Sequence, residues 1–241
     1  MSDAPVAVSE KTSSQLSIGW GVVHLFAKVA GYDVDQKSVI KAVEHCQAQG
    51  HQVICIATLG HKADVCFMAL GPDMWVLRDL QANLQAAGVD IIDSYVSLTE
   101  ISEYAQGIPE EMQNARLYPQ LPPAGKQAWC FYPMSKRRGD KDNWFALPHD
   151  QRKELMHGHG ISGRKFAGRI VQLITGSTGV DDFEWGVTLF GGHPDDLKDV
   201  VYTMRFDEAS ANFAEFGFFI TGLVCADAHE LLTRVCPDRL R

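Results

Sequence analysis

Apolar residues in this 241-residue chain fall in short dense runs, separated by stretches with a helical repeat. The run IGWGVVHLFAKV (18–29) has the apolar density of a strand. DQKSVIKAVEHCQAQG (35–50) sets Val39, Ile40, Val43 and Cys46 on one helical face and stops at Gly50. QVICIATLG and ADVCFMALG predict two strands, separated by a polar HKA. PDMWVLRDLQANLQAAG (72–88) predicts a second helix, and VDIIDSYVSLTE (89–100) a further strand. The order is β-α-β-β-α-β, a ferredoxin-like pattern.

Residues 101–125 carry Gly107, Pro109, Pro119, Pro122 and Pro123, which mark a connection. The order then repeats. QAWCFYPMSK (127–136) predicts a strand and LPHDQRKELMHGHG (147–160) a helix with Pro148 near its start. AGRIVQLITGSTG (167–179) and DFEWGVTLFGG (182–192) predict paired strands, and residues 193–212 one helix. EFGFFITGLV (215–224) predicts the last strand and DAHELLTRV (227–235) a closing helix. The expected class is α+β: two ferredoxin-like units, 1–108 and 109–241, with antiparallel sheets and helices on their outer faces. Two such sheets can close against each other and hide their edges.

Composition narrows the class of partner. Hydrophobic residues at 46% and charged residues at 22% suit an ordinary globular chain. No apolar run is long enough to span a bilayer. MSDAPVAVSEKTSSQ has no basic region ahead of an apolar one, so it reads as a short disordered lead-in and not a secretory signal. The six cysteines form no CxxC pair and sit mostly in apolar runs, which suits buried thiols in the reducing cytoplasm. The net charge of −8 is uneven. Residues 126–169 hold ten Lys and Arg against four acids, a +6 island that leaves −14 for the rest. A basic island in an acidic protein suits an anionic ligand, or a solvated face; the acidic whole argues against nucleic acid.

Four clusters can carry chemistry. His157-Gly158-His159-Gly160 falls at the predicted helix end. Histidine is the usual proximal ligand of haem iron, and glycines let a flat ligand approach the backbone. Zinc would need further ligands at a familiar spacing, and the plainer reading is a helix terminus with its glycine cap. Tyr132 lies in a strand and is followed by Pro133, Met134, Ser135 and then Lys136-Arg137-Arg138; its phenol can serve as a hydrogen-atom donor or as an ordinary core group. Gln172 in the apolar RIVQLITG either satisfies its amide in the core or faces a ligand. Arg205 in MRFDEAS can hold a carboxylate or bridge Asp207 or Glu208 within its own helix.

Several ordered segments resemble the chlorite dismutase-like family, and within it the coproheme decarboxylases of haem synthesis. They are RLYP (116–119), YPMSKRR (132–138), NW…LP (143–148), RKELMHGHGISGR (152–164), QLITGSTG (172–179), DDFEWGVTLF (181–190) and MRFDEASANFAEFGFFITG (204–222). The likeness is dense over 116–222 and loose before it. It implies two ferredoxin-like units with iron porphyrin bound only in the second, usually within a homopentamer. It implies that His159, not His157, ligates the iron and that Tyr132 becomes the radical that attacks a propionate. The run Tyr132, Pro133, Met134, Ser135 and Lys136 would line the porphyrin, with Lys136 positioning a propionate. Arg116, Arg205, Ser210 and Tyr95 would contact propionates, and Gln172 would sit on the distal side of the iron.

The implied reaction is peroxide-dependent decarboxylation of two propionates of Fe-coproporphyrin III (coproheme) to vinyls, giving haem b. Coproheme would be both substrate and redox cofactor, and a ferrochelatase would supply it. Two alternatives share the fold: a haem-binding or delivery protein without catalysis, and a chlorite dismutase or peroxidase. Chlorite-degrading relatives carry an arginine where this chain has the uncharged Gln172, which cannot hold an anion by charge.

Overall fold

The computed structural model describes residues 14–29, 33–105 and 107–236. Most of the expected lead-in lies outside them. The first half follows the predicted order: β1 (Gly21–Lys28), α1 (Gln36–Ala48), β2 (Gln52–Leu59), β3 (Val65–Gly71), α2 (Met74–Ala86) and β4 (Asp90–Thr99). Asp35 and Asp73 start the two helices by accepting backbone N–H groups with their carboxylates.

The second half runs α3 (Glu110–Leu117), β5 (Ala128–Lys136), α4 (His149–Arg164), β6 (Ile170–Gly176), β7 (Trp185–Gly191), α5 (Pro194–Met204), α6 (Glu208–Phe213), β8 (Ala214–Phe216), β9 (Ile220–Cys225) and α7 (Ala228–Val235). Four expectations need correction. The connection at 101–125 contains α3. The helix expected at 147–160 continues to Arg164, so His157 and His159 lie inside it and the glycine-cap reading fails. The single helix expected at 193–212 is two, because the Asp207 side chain accepts from Ser210 N and starts α6 afresh. The last strand is interrupted at 217–219, where Gly217 packs so closely on Phe183 and Pro133 that a β-carbon would collide.

Strand order explains how the halves join. β4-β1-β3-β2 and β6-β7-β5-β9 have the same 4-1-3-2 arrangement, read from opposite ends. β2 pairs with β9 and β4 with β6, all antiparallel, so eight strands close into a barrel with β8 added on β5. Eight strands enclose room for side chains only. Phe26, Ile54, Met68, Leu70, Trp129, Phe131 and Phe190 fill that interior.

Outside the barrel, the first unit is sealed. Val23, Leu25, Phe67 and Cys55 pack beneath Val39 and Val43 of α1 and Leu77, Leu80 and Leu84 of α2. With both sheet faces covered, β1 and β3 read as near-continuous apolar runs. On the second unit, Cys130, Tyr132, Val187 and Leu189 pack beneath Leu197 and Val200 of α5. No described helix is long and apolar enough to cross a membrane.

Candidate functional site

Helix α4 is unlike the others. It carries Gly158, Gly160 and Gly163, each costing about 1 kcal/mol of helix propensity relative to alanine. None of its residues is buried, and it packs against α5 and α6. Gly163 admits the Met204 side chain of α5 to 3.8 Å of where its β-carbon would be. The helix is therefore held by its neighbours and not by its own sequence.

His159 is the best-positioned residue on α4. Its Nδ1 lies 3.1 Å from both carboxylate oxygens of Asp207 and 3.3 Å from Ser210 Oγ. A carboxylate can only accept, so Nδ1 carries a proton, and in the neutral imidazole the lone pair is on Nε2. The imidazole is about a quarter exposed, while the Asp207 side chain is buried. An oriented histidine with a free Nε2 and a carboxylate behind it is the donor arrangement of a metal-ligating imidazole. His157, two residues away, is exposed. Among the described residues no group of three or more His, Cys, Asp or Glu could hold a bare metal ion. A single histidine ligand instead suits a metal that brings its own equatorial ligands.

Part of the outward face of β6 is uncovered. Gln172 and Ile174 are exposed on it, whereas the inward Leu173 and Thr175 are buried. Ile174 keeps 44% of its surface exposed. Across the ladder, Gln172 is opposed by Leu189, Ile174 by Val187, and Val187 in turn by Tyr132. Cross-strand partners share a face, so Gln172, Ile174, Val187 and Tyr132 belong to one outward surface.

Tyr132 is buried on that face. Its ring stacks on Phe219 at 4.5 Å and meets Phe216 edge-on at 5.5 Å. Burial pushes its phenol above the ordinary tyrosine range, only partly offset by the nearby Arg205 cation. Arg205 lies over the Phe216 ring at 5.6 Å and forms no ion pair with Asp207 or Glu208 among the described residues.

Lys136 lies four residues along the same strand. Its Nζ donates to Ala209 O at 3.1 Å and sits 4.2 Å from the centre of the Trp144 ring. Burial lowers its pKa to about 8, against the pull of Asp207 and Glu184. Thus α6 links the site: Asp207 and Ser210 hold His159, and Ala209 holds Lys136. Asp207 escaped notice in the sequence as anything but a possible arginine partner. Its one signal there is its position before EAS, where a helix cap is expected.

The other predicted residues are distributed as follows. Ser135 Oγ accepts from Glu184 N, and Met134 packs at the edge of the Tyr132 cluster. Pro133 is opposed by Gly186. Arg116 is exposed in the last turn of α3. Tyr95 does not join them: it is buried inside the barrel, and its hydroxyl meets Ser177 Oγ. The basic island is partly neutralised. Arg137, Arg138, Arg152 and Arg169 each face a carboxylate, on Asp142, Glu184, Glu103 and Asp196 respectively. A hollow of about 500 Å³ between α1 and α2 lies on the other unit, lined by Lys41, His45 and Asn83 and by none of the residues above.

The family model described as chlorite dismutase matches residues 34–225. The chain belongs to the chlorite dismutase family. A solved structure described as a heme-binding protein from Thermus thermophilus is 32% identical, with a TM-score of 0.80 over 90% of this chain and 95% of that one. A chlorite dismutase from Candidatus Nitrospira defluvii, solved with imidazole, is 15% identical, with a TM-score of 0.72 over 91% and 96% of the two chains. The second likeness speaks for the fold alone. In this family member, the paired 4-1-3-2 units and their helices on the outer faces are the fold that the element order predicted.

Proposed function

We propose that this chain binds Fe-coproporphyrin III between α4 and the outward face of β6, and decarboxylates two of its propionates with hydrogen peroxide to give haem b. The observation that carries the proposal is the arrangement that α6 draws together: His159 on α4 held by Asp207, and Lys136, four residues along the strand from the buried phenol of Tyr132, held by Ala209. The donor set fits the group. His159 Nε2 would ligate the iron, and the exposed apolar Ile174 suits a flat ring.

Bound iron, with peroxide, supplies the oxidising equivalents that the reaction consumes. Tyr132 is a protonated phenol at neutral pH, because burial opposes the phenolate. It therefore gives up an electron together with its proton. Its radical then removes hydrogen from a propionate β-carbon, which restores the phenol; loss of CO₂ and one further electron leaves the vinyl. Phe216 and Phe219 shield the phenol from water that would quench the radical. Lys136 and Arg205 supply positive charge for carboxylates, with Arg116 and Ser210 as further propionate contacts. Gln172 offers only a neutral amide on the distal side, a poor proton shuttle, which directs peroxide toward this reaction and away from general peroxidase turnover. The same proposal includes binding in the second unit alone, assembly as a homopentamer, and delivery of coproheme by a ferrochelatase.

The test is direct. The chain is loaded with Fe-coproporphyrin III, peroxide is titrated in, and the porphyrin is analysed by mass spectrometry. A three-propionate species should appear and give way to haem b. Porphyrin that stays unchanged or is merely bleached would sink the proposal. The heme-binding relative gives weight to a second reading, a carrier without catalysis, which predicts stable binding and no vinyl product. Oxygen release on adding chlorite would instead favour a dismutase.

A further inference from the structure

The sealed side of the barrel holds a feature that porphyrin chemistry does not use. Cys55 on β2 and Cys225 on β9 are directly opposed in the antiparallel ladder. Opposed residues project to the same side, and both thiols lie in the core between the sheet and α1, α2 and α7. Opposed α-carbons stand about 4.5 or 5.5 Å apart, depending on the pair type. Both spacings fall within the roughly 4.4–6.8 Å that a disulfide bridges.

The other cysteines are placed differently. Cys66 is opposed by Phe26 and Ile56, and Cys130 by Leu189 and Thr221. Cys46 lies on α1 and Cys236 just after α7, both off the sheet. The opposed pair also sits at a mechanically significant place. β2 belongs to the first βαββαβ unit and β9 to the second, and their pairing is one of the two seams that close the barrel.

We propose that Cys55 and Cys225 form a peroxide-oxidisable dithiol whose disulfide staples the two units along the β2–β9 seam. Cys225 ends β9 and is the more accessible start. Its thiolate attacks a peroxide oxygen, breaking the O–O bond and giving a sulfenic acid and hydroxide. The Cys55 sulfur then displaces hydroxide from the sulfenic sulfur, forming the S–S bond. In sum, two thiols and one peroxide yield one disulfide and two waters.

Burial keeps both thiols protonated at neutral pH: Cys55 is pushed up to about 12, and Cys225 is raised as well. The thiolate is the nucleophile, so the link forms slowly at pH 7 and faster as pH rises. This makes it a response to sustained peroxide and not to each turnover.

The experiment uses the full chain without porphyrin, so that its outcome is independent of the decarboxylase proposal. The protein is treated with excess hydrogen peroxide at pH 7 and pH 9, alkylated, denatured and mapped by mass spectrometry. Two of the six thiols should be lost as a Cys55–Cys225 linked peptide, sooner at pH 9, and dithiothreitol should restore them. Diamide should give the same link, and the oxidised protein should melt at a higher temperature. Cys225→Ser and Cys55→Ala should each abolish the link; mapping of the unmodified sequence decides even if one of them folds poorly. Six thiols retained after peroxide and diamide, oxidation to sulfinic acid without a link, or a disulfide between any other pair would overturn the proposal.

Discussion

On the first unit, α1 and α2 press Val39, Val43, Leu77, Leu80 and Leu84 onto the sheet; on the second, α4 only partly buries Leu155 and Met156, against Trp144 and Phe213, and Gln172 and Ile174 of β6 stay exposed. The two units share one strand order, so topology is not the cause. The difference lies in the helices. α1 presents an apolar face, whereas α4 reads HDQRKELMHGHGISGR, with polar residues and glycines where such a face would be. Burying a leucine-sized side chain is worth roughly 1.5–3 kcal/mol. The second unit forgoes several such contacts and leaves Gln172 and Ile174 of β6 exposed to solvent. A fold used twice thus becomes scaffold on one side and, in the function proposed above, site on the other.

The comparison breaks first at Tyr132. Tyr132→Phe keeps the ring contacts to Phe216 and Phe219 but removes the hydroxyl that the proposed radical step needs. Vinyl product should fall to background while porphyrin binding persists. Tyr95→Phe, on the opposite sheet face, should keep activity and lose about 0.5–1.5 kcal/mol of stability with its Ser177 bond. Product formation by Tyr132→Phe would remove the assigned role.

The next largest effect concerns packing. Leu80→Ala on the sealed unit should cost about 2–5 kcal/mol in denaturant unfolding. Ile174→Ala on the open face, already 44% exposed, should cost under about 1 kcal/mol without porphyrin. With porphyrin bound, the same change should weaken affinity measurably by absorbance titration. Equal costs in the two units would mean that the face is not open.

How much of this was legible beforehand follows from the same asymmetry. The strands and helices of the sealed unit were readable because two-sided burial writes itself as apolar runs and helical stripes. Gly158 and Gly160 look like stops, yet helix α4 runs on to Arg164; packing on α5 and α6, far along the chain, offsets that local cost. The break before α6 was missed because one capping carboxylate, Asp207, outweighs a continuous helical pattern. The tie between Asp207 and His159 spans 48 residues and leaves no local trace. Counting charges overstated the free positive charge for the same reason: Glu184 and Asp196 reach back to Arg138 and Arg169. Family resemblance pointed to His159 and Tyr132, but the exposure of Gln172 and Ile174 on β6 emerges only from the folded chain.

Asp207→Asn isolates the support behind the histidine. Asparagine still caps α6, so the helix should persist. The imidazole loses its charged acceptor, and iron affinity should weaken by about 10–100-fold. Asp227→Asn, the equivalent cap on α7, should leave the iron spectrum unchanged. If both variants behave alike, Asp207 acts only as a cap.

Lys136 should give the smallest effect, and one that depends on pH. Its pKa is lowered from 10.5 to about 8 in the folded chain, chiefly by burial. Between those values the unfolded chain binds more protons than the folded one, so stability rises with pH across that window. Below about pH 8 both states carry the charge, and the folded state bears its full desolvation cost. Lys136→Met should therefore be relatively most stable near pH 7, with its advantage shrinking as pH climbs from 8 toward 10.5. Binding should change in the opposite sense. The ammonium that would meet a propionate is fully present below pH 8, so the affinity of the unmodified chain for Fe-coproporphyrin III should fall as pH rises through 8. The Met variant should lack that particular fall. Calorimetric unfolding and porphyrin titration over pH 6–10 separate the two trends. If stability and affinity instead moved together with pH, Lys136 would be a structural cation held by Trp144 and Ala209 with no part in binding the substrate.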